Sequence, residues 1–212
     1  MAVDLTNTLI VAISATELFD LTESENHLLQ LLQQRPDEAV KEFRDYMAKR
    51  EDQPLDSGAG YPLIKALLNL NNYCNDCLSA DLTTESPLVE VVIVSKSSPD
   101  TGIQVLNAIR DNGLNISRSA FVFGSPVAPY IKDFNVDLFL TTNREDAQQV
   151  ADANICACAI LDATPVNTYE LDTDQLRIAF DGDAVLFDDS GELLYKQQGL
   201  QAFHDREAEM ID

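Results

Sequence analysis

Short apolar runs recur through the first 165 residues, at 8–14, 89–95, 120–123, 136–141 and 155–161. They are rich in Val, Ile and Phe and lack strict apolar–polar alternation, as strands buried on both faces do. Between them the apolar positions return at helical spacing. Leu63, Ile64, Leu67, Leu68 and Leu70 mark a helix over 61–73. Two more patterns cover 101–112, which stops at Gly113, and 144–153. Alternating strands and helices predict an α/β fold: a three-layer, Rossmann-like parallel sheet with helices on both faces. The stretch 23–56 interrupts this rhythm. Pro36-Asp37-Glu38 opens a helix there with acidic residues in its first turn, so a small helical cap insertion is expected over one end of the sheet. The segment 54–60 (PLDSGAG) brings the chain back.

An internal repeat sets the domain organisation. VAISATELFD, ending at Asp20, superimposes with one gap on IAFDGDAVLFD, ending at Asp188, and VKEFRD (40–45) resembles LQAFHD (200–205). The chain reads as one complete unit over 1–165 and the start of a second over 166–212, with the second copy beginning near Leu176.

Charge narrows the partners. Fourteen Lys and Arg against 36 Asp and Glu give a formal charge of −22, which repels nucleic acid and anionic membranes at long range. It also repels a free nucleotide, so a phosphate site must be made locally positive, most simply by a divalent cation. No apolar run reaches the roughly 20 residues of a membrane helix. The short run Leu9 to Ala12 follows Asp4 and no Lys or Arg, unlike a signal peptide. A cytoplasmic protein is expected. Cys74 and Cys77 form a CxxC, and Cys156 and Cys158 share one face of a strand candidate. Thiols filling core space are the expected reading, with a zinc centre joining the two pairs as the rival. His27 and His204 stand apart in polar helical stretches and are expected at the surface.

The chemistry concentrates in RIAFDGDAV (177–185), where an apolar strand ends in Asp181-Gly182-Asp183. Residues i and i+2 project to one side of a strand, so both carboxylates face one volume beyond its carboxyl end. Gly182 lets the backbone turn tightly and bring amides near a phosphate. Two carboxylates this close favour capture of Mg2+. Asp181 would attack phosphorus, and Asp183 would serve as the general acid and base. A solvated acidic turn is the competing reading. An EF-hand with Asp181, Asp183 and Glu192 fails, because Val185 and Leu186 stand where a ligand and the glycine belong.

The stretch RIAFDGDAVLFDDSGE resembles the nucleophile motif of haloacid dehalogenase-like phosphatases, and specifically of the type I cytosolic 5'-nucleotidase family. AISATELFDL, PLDSGAGYPLIKALLNLN, VVIVSKSSPDTG and VDLFLTTNREDA resemble the N-terminal half of that family, so the likeness spans nearly the whole chain. It implies hydrolysis of nucleoside 5'-monophosphates, AMP-like, with Mg2+ held by Asp181 and Asp183, the first as nucleophile and the second as acid/base. It implies also that the first unit is a degenerate copy of the phosphatase fold. Ser14 stands in the nucleophile's place and Thr16 near the second carboxylate's. Ser95 takes the place of the phosphate-binding hydroxyl and Lys132 that of the phosphate-neutralising lysine, while Thr141 and Thr142 replace the metal-binding acids. The family's later motifs, after Asp183, are expected to follow and do not. The second unit is therefore read as truncated, the 212 residues alone as a weak phosphatase, and a non-catalytic nucleotide-binding module or inactive fragment as the alternative. Ile178, Phe180, Val185 and Leu186 then need other cover, which points to a homo-oligomer.

Overall fold

A computed structural model describes residues 5–77, 86–162, 175–180 and 188–209. The chain divides into two compact units, Met1–Leu176 and Arg177–Asp212. In the first, five strands form one parallel sheet. They are β1 (Leu9–Ile13), β2 (Val89–Ser95), β3 (Arg118–Phe121), β4 (Leu138–Thr141) and β5 (Ala157–Ile160), in the order β3-β2-β1-β4-β5. The register sets Ile13 beside Ile93 and Leu140, so the carboxyl ends of the three inner strands lie side by side.

Both faces of the sheet are covered. Val11, Ile13, Val91 and Ile93 point to one side, where α4 (Tyr61–Cys77) and α5 (Pro99–Asp111) contribute Ile64, Leu67, Val105 and Ile109. Ile10, Ala12, Val92, Val94 and Phe139 point to the other, against Ile131 of α6 (Ala128–Asp133) and Val150 of α7 (Arg144–Asp152). This is the three-layer architecture expected of strands without alternation. The edge strand β3 begins two residues earlier than its apolar run. Arg118 is held in the strand by Glu90 of β2, with Nη2 and Oε2 2.6 Å apart.

The insertion after β1 starts with a single helical turn, α1 (Ala15–Leu18), followed by α2 (Thr22–Gln34) and α3 (Pro36–Met47). The pair has its own small core of Leu31, Ala39, Phe43 and Met47. His27 is half-buried rather than on open surface, its ring 4.0 Å from that of Tyr46. The hairpin is tied beside the carboxyl end of β2. The Gln104 side chain donates to the Gln53 carbonyl at 3.1 Å, Asn107 donates to the Glu51 carbonyl at 2.9 Å, and Arg44 reaches Asp100. Cys156 and Cys158 pack against the second core. Burial pushes the Cys156 thiol up to about 11 and raises Cys158 as well, which makes both poor nucleophiles. Cys74 and Cys77 lie in α4, and their side chains are outside the description.

The second unit contains α8 (Ser190–Gln198) and α9 (Leu200–Glu209), joined through Gly199 at φ 84°. Arg206 ties the pair together, donating to the Ser190 carbonyl at 3.0 Å and its hydroxyl at 2.7 Å. VKEFRD lies in α3 and LQAFHD in α9, each the second helix of a pair.

Candidate functional site

The inner strand ends of the first unit frame one cleft. Ser14 follows β1, Ser95 ends β2 and Thr141 ends β4. Successive strands leave β1 in opposite directions here, and such a switch point is where open α/β sheets receive ligands. The cleft encloses about 260 Å³ and is lined by hydroxyls and charged groups, among them Ser14, Thr16, Glu17, Ser95, Lys96 and Asp146.

Its hydroxyls form a chain between two carboxylates. Ser14 Oγ lies 3.1 Å from Thr16 Oγ1 and 3.4 Å from Ser95 Oγ. Thr16 donates to Glu17 Oε2 at 3.0 Å. On the other side Ser95 donates to Ser97 Oγ at 3.1 Å, and Ser97 donates to Glu25 Oε1 at 3.3 Å. Both arms give their protons outward, so the single Ser14 proton serves either neighbour. Glu17 Oε1 accepts two further bonds, from the Thr142 N–H at 3.0 Å and the Thr142 hydroxyl at 2.6 Å. A carboxylate 2% exposed is tolerable because it is so satisfied.

Local folding holds Glu17 in place. The turn after the insertion grips α1 from behind, with Gly58 N–H donating to the Leu18 carbonyl at 2.9 Å and Gly60 N–H to the Glu17 carbonyl at 2.8 Å. A Cβ on Gly58 would lie 2.3 Å from the Glu17 carbonyl oxygen, so only glycine allows this approach. Asp146 comes from the first turn of α7, which Asn143 caps by accepting from the Glu145 and Asp146 N–H groups. Lys96 Nζ sits 2.5 Å from Asp146 Oδ1; the approach is off-line for a hydrogen bond, so the contact is coulombic.

The structure brings Ser14, Thr16, Ser95, Thr141 and Thr142 together, and it puts Lys132 elsewhere. Lys132 is exposed near the carboxyl end of α6, beside Asn135, Val136 and Asn154, which precede β4 and β5 at the opposite end of the sheet. The lysine at the cleft is Lys96, directly after Ser95. Asp181, Gly182 and Asp183 lie outside the described residues. Among the described residues no three His, Cys, Asp or Glu side chains are grouped to hold a metal ion. Sequence reasoning passed over Glu17, Glu25, Lys96 and Asp146. A signal existed for Glu17, a lone charge in the buried run Ala15 to Phe19, and for Lys96, a cation at a strand end in an acidic chain.

The sequence as a whole matches the profile of one family, described as 5'-nucleotidase, over residues 1–212. The chain belongs to the 5'-nucleotidase family. Human cytosolic 5'-nucleotidase 1B is 28% identical over 197 residues, which cover 93% of this chain and 30% of the human protein. The chain thus spans under a third of that relative's length. No solved structure matches. In this 5'-nucleotidase family member, the described cleft offers hydroxyl donors and one lysine but an excess of carboxylates. Burial raises the Glu25 pKa, and the nearby Glu17 charge adds to the rise against the lowering effect of Ser97. Among the described residues, no helix is long and apolar enough to cross a membrane.

Proposed function

We infer that the chain serves a cytoplasmic 5'-nucleotidase that hydrolyses nucleoside 5'-monophosphates, AMP-like, to nucleoside and phosphate. The observation that carries this reading is the family match along all 212 residues, FDGDAVLF included. Asp181 attacks phosphorus in line, and its new P–O bond forms as the bond to the ribose oxygen breaks. Asp183 gives that oxygen a proton, then takes one from the water that cleaves the aspartyl-phosphate. Gly182 leaves room for backbone amides to approach the phosphate. Mg2+ is the implied cofactor, since aspartates two positions apart supply the hard oxygen donors it takes. Bound there, it would offset the charges of phosphate and carboxylates. A cytoplasmic location goes with a relative named cytosolic. Exposed Ile178 and Phe180 support self-association as a homo-oligomer.

Asp181→Asn should abolish AMP hydrolysis with the far-ultraviolet spectrum unchanged, and Asp183→Asn should lower kcat by about 10²–10⁴-fold. Undiminished turnover by the Asp181 variant would remove it from the mechanism. AMP binding without turnover in wild type would favour a nucleotide-binding module instead.

A further inference from the structure

Parallel α/β sheets receive ligands where β1 and β4 part, and in the first unit a side chain of the protein itself occupies that place. We propose that Glu17 is a built-in ligand: its carboxylate takes up the oxyanion donors at the wall of this cleft and withholds them from external phosphate. The inference concerns the first unit alone and does not depend on hydrolysis at Asp181.

Three observations converge. The Glu17 carboxylate collects a backbone N–H and two hydroxyls from residues beyond two adjacent strand ends, Thr16 after β1 and Thr142 after β4. Those are the neutral donors that commonly hold a phosphate or carboxylate oxygen. Its backbone cannot swing outward, because Gly60 N–H holds the Glu17 carbonyl and Gly58 lies against it. This is a fixed occupant, unlike a lid. Finally, among the described residues the cleft has no spare cation. Lys96 is engaged by Asp146, and Glu25 faces the same space, so an entering phosphate would meet three carboxylates and one committed lysine.

The test titrates inorganic phosphate, and separately acetate, into wild type, Glu17→Ala and Glu17→Gln at ionic strength matched with KCl. Wild type and Glu17→Gln, in which residue 17 keeps those donors engaged, should show no specific rise in melting temperature. Glu17→Ala should melt lower in KCl and recover by about 3–5 °C in roughly 20 mM phosphate or acetate, either anion refilling the emptied place. If Glu17→Ala is unfolded in KCl, the expected result is return of its helical circular dichroism on adding either anion. The proposal is overturned if wild type or Glu17→Gln responds as strongly as Glu17→Ala. It is equally overturned if Glu17→Ala, folded or unfolded, gains nothing from both anions.

Discussion

Glu25 reaches the cleft from the insertion and pays for its position there. A carboxyl whose pKa rises on folding binds more protons folded than unfolded. Its stabilising contribution is complete below the ordinary carboxylate pKa and is lost as pH climbs through the folded value. Burial sets that direction for Glu25, with Glu17 reinforcing it. Glu25→Gln should therefore be more stable than wild type at about pH 8, with the difference shrinking towards about pH 5. Urea unfolding across that range checks it; a gap that widens on acidification would contradict the assignment. At this scale the sequence showed only part of the cleft. Ser14 and Ser95 could be placed because each ends an apolar run. Lys132 was misplaced relative to them because distance along the chain does not say which end of the sheet a helix reaches. Glu17 escaped notice because its role depends on donors supplied by Thr142, far away in the chain, and Asp146 because it meets Lys96 only once the sheet has formed.

Among the elements, the turn at 57–60 has the most leverage on the cleft. It bridges Phe19 to Ser57 in an antiparallel contact and buttresses α1 through Gly58 and Gly60. Gly58→Ala has nowhere to put its methyl group except into the Glu17 carbonyl. It should cost about 1–3 kcal/mol in urea unfolding, and it should displace Glu17 enough to admit phosphate weakly. An Ala variant as stable as wild type would mean the turn is looser than described. The strands were legible wherever burial on both faces made a continuous apolar run, as in β1. They were less so at β3, an edge strand whose Arg118 belongs to the sheet through its pairing with Glu90. Periodicity cannot register a strand residue whose place is secured by a cross-strand ion pair.

For the whole molecule, self-repulsion at −22 works against compactness. Raising NaCl from about 10 mM to about 500 mM, which shortens the screening length several-fold, should raise the melting temperature. A fall over that range would show that favourable ion pairs such as Lys96–Asp146 outweigh the repulsion. The parallel topology has a further consequence, in time rather than in space. Of the described strands, the central one is made first and waits longest for its second neighbour: Leu9 pairs with Val89 and Val11 with Leu138, 80 and 127 residues onward. At ribosomal speeds of about 5–20 residues per second, β1 waits about 6–25 s for β4 to be synthesised. Until then Val11, Ala12 and Ile13 lack one of their two sheet neighbours, and closing such distant contacts is slow even after synthesis ends. The strand that anchors the cleft is thus the part of the nascent chain most in need of a chaperone.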